Sequence, residues 1–194
     1  MKINQHMRNL ALGLSLALAT LAAAPLAMAG PMSMEKTVMV GDAAMYPSKN
    51  IIQNAVNSKD HTTLVAAVKA AGLVDTLSGP GPFTVFAPTN EAFAALPAGT
   101  VDNLVKPENK ATLTKILTYH VVAGKMTSHD LEKAVMAGGG KAVLKTVEGD
   151  SITVAKSGSA WTVTDDKGNV ANITIADVMQ SNGVIFVIDK VLMP

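Results

Sequence analysis

The stretch Phe83-Thr-Val-Phe-Ala-Pro-Thr-Asn-Glu-Ala-Phe93 turns a buried strand straight into a helix, so any fold open to this chain must give both a shared core. Phe83, Val85 and Ala87 alternate with Thr84 and Phe86, the period of a strand, and Pro88 ends the ladder because it has no amide hydrogen to donate. Thr89 suits a helix cap: its hydroxyl accepts from an orphan amide one turn on. Glu91 lies at the positive helix end, and Ala92, Phe93 and Leu96 form one apolar side before Pro97. Gly79-Pro80-Gly81-Pro82 is turn chemistry that delivers the chain into the strand.

Upstream, Ser48 is expected to cap a short helix bearing Ile51, Ile52, Ala55 and Val56. A second helix follows, capped by Asp60 or Thr62, with Leu64, Val65, Ala67, Val68 and Ala71 buried and Gly72 placed to stop it in the left-handed conformation. His61, at its start, is expected to be exposed or capping, since no partner is near in sequence. Downstream, Thr100 caps a short helix to Val105, and Pro107 opens a helix with Leu113, Ile116 and Leu117 on one side. At Leu117-Thr-Tyr-His-Val-Val122 the pattern changes, and alternation of Tyr119 and Val121 with His120 and Val122 predicts a strand. Ser128 caps a further helix with Leu131, Ala134, Val135 and Met136, ended by Gly138-Gly139-Gly140.

From there the chain reads as strands over 141–147, 151–156, 160–164, 169–175 and 184–192, rich in Val, Ile and Thr and separated by Gly, Asp, Ser and Asn turns. The carboxylates Glu148, Asp150, Asp165 and Asp166 fall in those turns without the spacing of a calcium loop and are read as solvated. Asn172-Ile173-Thr174 fits a glycosylation acceptor, but it lies within a predicted strand and is expected to stay unmodified.

Residues 1–29 carry Lys2 and Arg8, an apolar run from Leu10 to Leu21 and Ala27-Met28-Ala29, the pattern of a removed signal peptide. The run is shorter than the roughly 20 residues that span a bilayer, and no integral membrane segment is expected after it. Removal takes two of the 16 basic residues and none of the 15 acidic ones, leaving a formal charge of −1. That balance supplies no basic field for nucleic acid. With no cysteine, an exported chain has neither disulfides nor a lipid-bearing thiol, and its stability must come from burial.

Residues 30–46, with Met32, Met34, Met39 and Met45 among Gly, Pro and Ser, are read as a flexible arm. Within it, Thr37-Val38-Met39-Val40 is an apolar run able to add to a sheet edge, with disorder as the other reading. Thioethers are soft ligands suited to Cu(I), so periplasmic copper handling by this arm is the alternative function, and ordinary apolar filler is the plainer use of methionine.

Three segments resemble the fasciclin-like domain family: Phe83 to Phe93 is similar to its first signature box, Tyr119-His120 to its Tyr-His box, and Ile175 to Pro194 to its final box. The order of the boxes agrees, and residues 47–194 are taken as the domain. Phe186 stands where that family often has histidine, which implies an apolar contact in place of a polar one. The resemblance implies an α+β fold, a wedge-like β-sheet assembly with helices packed along one side and a C-terminal half rich in hairpins. It also implies a secreted or periplasmic, non-enzymatic adhesion module that binds a cell-surface or matrix protein or polysaccharide, without cofactor. In animal relatives, integrin recognition is associated with positions matching Tyr119, His120, Asp177 and Val178, with valine here for isoleucine. Tyr119 and His120 then act either by touching a partner or by holding the fold together. A hydrolase would need Ser or Thr beside His120 and a carboxylate, and no nucleophile elbow or metal-ligand spacing marks such a site.

Overall fold

The computed structural model describes residues 36–194; the segment 1–29 read as a signal peptide, Met32 and Met34 lie outside the described residues. Two short strands, β1 (Val38–Val40) and β2 (Ala43–Met45), form an antiparallel hairpin in which Val40 and Met45 are buried. This corrects the reading of a flexible arm as far as Val38: alternation over three residues a side is too short to stand out in the sequence, yet it places two apolar side chains in the core. Met45 is core filler and Met39 faces solvent.

The hairpin leads into α1 (Ile51–Ala55), α2 (Thr62–Ala71) and α3 (Val74–Ser78), then into β3 (Phe83–Pro88) and α4 (Asn90–Ala94). Next come α5 (Thr100–Leu104), α6 (Lys110–Tyr119), β4 (Val121–Ala123) and α7 (Ser128–Ala137). The last five strands are β5 (Lys141–Lys145), β6 (Ser151–Ser157), β7 (Ala160–Thr164), β8 (Val170–Gln180) and β9 (Gly183–Ile188). Several caps differ from expectation. Asn50, not Ser48, caps α1 through a capping box with Gln53; Thr127, not Ser128, caps α7 through a box with Asp130; and Gly99 precedes α5 without a side-chain cap. Thr89 caps α4 as read, and Gly72 ends α2 at φ +73°.

Strands β3 to β9 make one seven-stranded sheet in the order β4-β3-β9-β8-β7-β6-β5. Its β3–β9 pair is parallel and sets Phe86 beside Phe186, whose rings stack at 5.6 Å. The pair opens on Phe83 and Gly183, where a Cβ on the glycine would lie 2.1 Å from the Phe83 carbonyl oxygen, so only glycine lets the two strands start together. The outermost strands meet as well: Val122 bridges Thr146, and the Val147 amide donates to the Val121 carbonyl at 2.7 Å. The sheet therefore curls until its two ends touch, which leaves fewer unpaired strand edges.

Curling divides the apolar residues into two clusters. The inner one holds Phe86, Tyr119, Ile152, Val163, Phe186 and Ile188, with Leu131 of α7. The outer one lies between the other face of β3 and β9, through Val85, Ala87, Ile185 and Val187, and the helices α1 to α4 and α6 with the β1–β2 hairpin. Successive side chains of β3 and β9 thus enter different cores, which is why both strands are apolar almost throughout. The architecture is α+β, with α1 to α4 and α6 on the outer face, α7 against the inner core and hairpins filling the C-terminal half.

Candidate functional site

Helix α6 runs through Tyr119, and His120 ends it in helical conformation; the predicted strand starts only at Val121. This corrects the strand reading of Tyr119 and His120, because an i, i+2 alternation of so few residues is also satisfied by the last turn of a helix entering a strand. Tyr119 is fully buried in the inner core and His120 is buried beside it.

Both side chains bond main-chain groups. The Tyr119 hydroxyl donates to the Ser151 carbonyl at 3.1 Å and accepts from the Asp166 amide at 3.0 Å, which ties α6 to β6 and to the β7–β8 turn. Burial, with the neighbouring carboxylates adding to it, pushes the phenol up to about 12. His120 Nδ1 lies 2.8 Å from the Ile116 carbonyl, an acceptor only, so Nδ1 carries the proton. Nε2 then accepts from the Leu192 amide at 2.9 Å. Burial lowers this imidazole to about 4, which keeps it neutral. With one nitrogen donating and the other accepting, His120 has no free position for a nucleophile's proton, and its hydrogen bonds reach no hydroxyl.

The Asp165 carboxylate, read as a solvated turn group, is buried instead and accepts from the amides of Lys167, Asn169 and Met193 and from the Asn169 side chain, all within 3.1 Å. His120 and Asp165 thus hold the amides of consecutive residues, Leu192 and Met193. The chain after β9 is laced to the end of α6 and to the β7–β8 turn. That explains why the apolar run of the final box outlasts its strand.

Asp177 lies elsewhere. Strand β8 continues to Gln180, beyond its expected end, and carries register shifts between Ile173 and Ile175 and between Ile175 and Val178. The second shift leaves Asp177 at φ +56°, turned out of the ladder. Its carboxylate accepts from the Ser128 amide at 2.6 Å and from the Ser128 hydroxyl, so a sheet residue caps the first turn of α7. Val178 points the other way, fully buried in the outer core. The structure therefore pairs Tyr119 with His120 and joins Asp177 to α7, while three of the four residues are buried and Asp177 is partly so.

Sequence reasoning missed two features. His61 is buried, not exposed: it stands at the N-cap position of α2 without a side-chain cap bond, at the end of a 3-10 turn, Lys59–His61, with Nδ1 2.9 Å from the Ser58 hydroxyl. The Ser58 hydroxyl in turn donates to the Val40 carbonyl, so burial of His61 depends on the unrecognised β1–β2 hairpin. The second feature is a set of buried amides. Asn182 accepts from the Ile51 amide and donates to the Leu77 and Gly79 carbonyls, and Asn54 bonds Gln180 and Tyr46. Only the Ser-Asn-Gly turn composition hinted at the first of these. Phe186 makes the apolar contact expected of it, and Asn172 is exposed with its amide on the Asp189 carboxylate.

Known proteins agree with this architecture. The fasciclin domain family model matches residues 59–194. Protein sll1483 of Synechocystis is 48% identical over 169 residues, covering 87% of this chain and 86% of that protein. Immunogenic protein MPB70 of Mycobacterium bovis is 40% identical over 145 residues, 72% of this chain and 66% of that one. Pig transforming growth factor-beta-induced protein ig-h3 is 35% identical over 159 residues, 81% of this chain but 21% of that protein. The solved domain pair of the insect cell adhesion molecule fasciclin I superposes with a TM-score of 0.69 at 20% identity, over 77% of this chain and 52% of that one. The family match and these identities, together with the curled sheet and its Tyr-His lacing, establish that the chain belongs to the fasciclin domain family.

Proposed function

We propose that the chain is an exported, non-enzymatic interaction module that binds a cell-surface or matrix protein or polysaccharide, and that Tyr119, His120, Asp177 and Val178 serve binding by holding its framework. The observation that carries this reading is the use of the polar groups: Tyr119 and His120 each satisfy two main-chain partners inside the fold, and Asp177 is spent on Ser128. A buried imidazole with both nitrogens engaged serves a scaffold better than proton transfer. Family membership supports the same reading, and one similar structure is that of an insect cell adhesion molecule. Among the described residues no helix is long and apolar enough to cross a membrane. Recognition then belongs to exposed side chains whose positions the framework sets.

The test is capture with the immobilised chain from surface and matrix fractions of the source cells, with a partner identified by its retention. Selective retention of one such component supports the module. Turnover of an ester or glycoside that His120→Gln abolishes without loss of folding contradicts it.

A further inference from the structure

Between the outer face of β3 and β9 and the helices α1 and α2 lies a cavity of ≈ 40 Å³, against the ~10–15 Å³ a single water needs. Apart from His61 and His120, the side chains that line it are apolar. Neither imidazole places a charge there: burial lowers the basicity of both, the two ring nitrogens of His120 are bonded to main chain, and His61 lies against Ser58. A buried water needs two to four polar partners, so a wall of this kind favours hydrocarbon over water. The half-buried lining residues, Ile52 and Ala55 of α1 and Val65 of α2, place its mouth between those two helices, and Val56 beside it is 49% exposed. Leu64 and Ile185 lie deeper and are buried.

The charge beside that mouth is positive. Lys69 is exposed and stands one helical turn on from Val65, on the same face of α2. A second ammonium, Lys110 Nζ of α6, reaches the same end of α2, 3.3 Å from the position a Cβ on Gly72 would take. Among the described residues no carboxylate forms an ion pair with either lysine. Asp75, three residues beyond Gly72, pairs with neither, and this end of α2 keeps a net positive charge.

We propose that the cavity takes the aliphatic tail of a free, single-chain carboxylate, whose head stays at the mouth beside Lys69. Methylenes carried from water to the wall gain by burial, and the head keeps its hydration while it meets a cation. A cationic head on the same tail meets a like charge instead.

Octanoate, butanoate and octyltrimethylammonium are the probes, each titrated into the full chain and followed by the methyl resonances of Ile52, Leu64 and Val65. Saturable octanoate binding that shifts those methyls is the expected result, with affinity rising about fourfold for each further methylene buried and about two- to fivefold above that of the octyl cation. Lys69→Glu, an exposed change that leaves the cavity intact, should remove the preference for the anion. Val65→Trp, which closes the mouth, should abolish binding of both octyl probes. No saturable octanoate binding, or binding that leaves those methyls unmoved, overturns the proposal. Equal binding of the two octyl probes overturns it by making the cavity a general apolar dock. Retention on phosphatidylglycerol vesicles without octanoate binding overturns it by assigning the lysines to a membrane surface.

Discussion

At the scale of single residues, the buried histidines make stability depend on pH in a direction the structure decides. His120 is held down to about 4 by burial, whereas the unfolded chain protonates it near its ordinary 6.5. Between those values the unfolded state binds the extra proton, so stability is complete above pH 6.5 and falls as the pH drops toward 4. The slope is about 1.4 kcal/mol per pH unit for this one group. His61, also lowered by burial, acts with the same sign. Urea melts of His120→Gln should show a shallower loss between pH 7 and 5 than the parent chain, and an equal loss in both would mean that the imidazole is not held neutral. The importance of His120 was legible from its apolar neighbours, but its partners were not. Leu192 lies 72 positions away, and only the folded chain brings its amide to the ring. The burial of His61 was not legible for a related reason: what buries it is a hairpin of three-residue strands, too short to show a periodicity.

At the scale of elements, local chemistry chose where helices begin with an error of one or two residues. Ser48 and Ser128 are sound caps in isolation, yet Asn50 and Thr127 win because Gln53 and Asp130 stand three residues on and complete a capping box. Ser128 is then free to take the Asp177 carboxylate, an arrangement invisible in the sequence because it depends on a bulge in β8. Asp177→Ala should cost about 1 kcal/mol or somewhat more in denaturant melts, from the lost cap and from a Cβ-bearing residue kept at positive φ without a carboxylate to hold it. Asp177→Asn should recover part of that loss, since asparagine tolerates the left-handed region and still accepts. A neutral Asp177→Ala would show that the contact with α7 carries no stability. The strands separated by Gly, Asp and Asn turns were read nearly to the residue for β7, where turns and alternation agree. They were read short for β8, whose bulges break the period of two.

At the scale of the whole molecule, two cores share the β3–β9 pair. Phe86, fully buried and stacked on Phe186, reaches the inner one, and Phe86→Ala should lower stability by about 3–5 kcal/mol. A loss below about 1 kcal/mol would mean that the ring is not enclosed. The α+β class and the C-terminal hairpins followed from the turn residues, whereas the meeting of β4 with β5 depends on twist accumulated over seven strands, which no local pattern encodes. In the proposed function the Tyr-His and Asp-Val residues act on binding through this framework. Tyr119→Phe tests it most directly, because it removes one buried hydroxyl and leaves the ring in place. Stability and affinity for the captured partner should be measured side by side at neutral pH. A stability loss of about 1–3 kcal/mol, from the unpaired Asp166 amide and Ser151 carbonyl, with affinity per folded molecule unchanged, is the expected result. Unchanged stability with affinity lost tenfold or more would contradict it and make Tyr119 a contact residue.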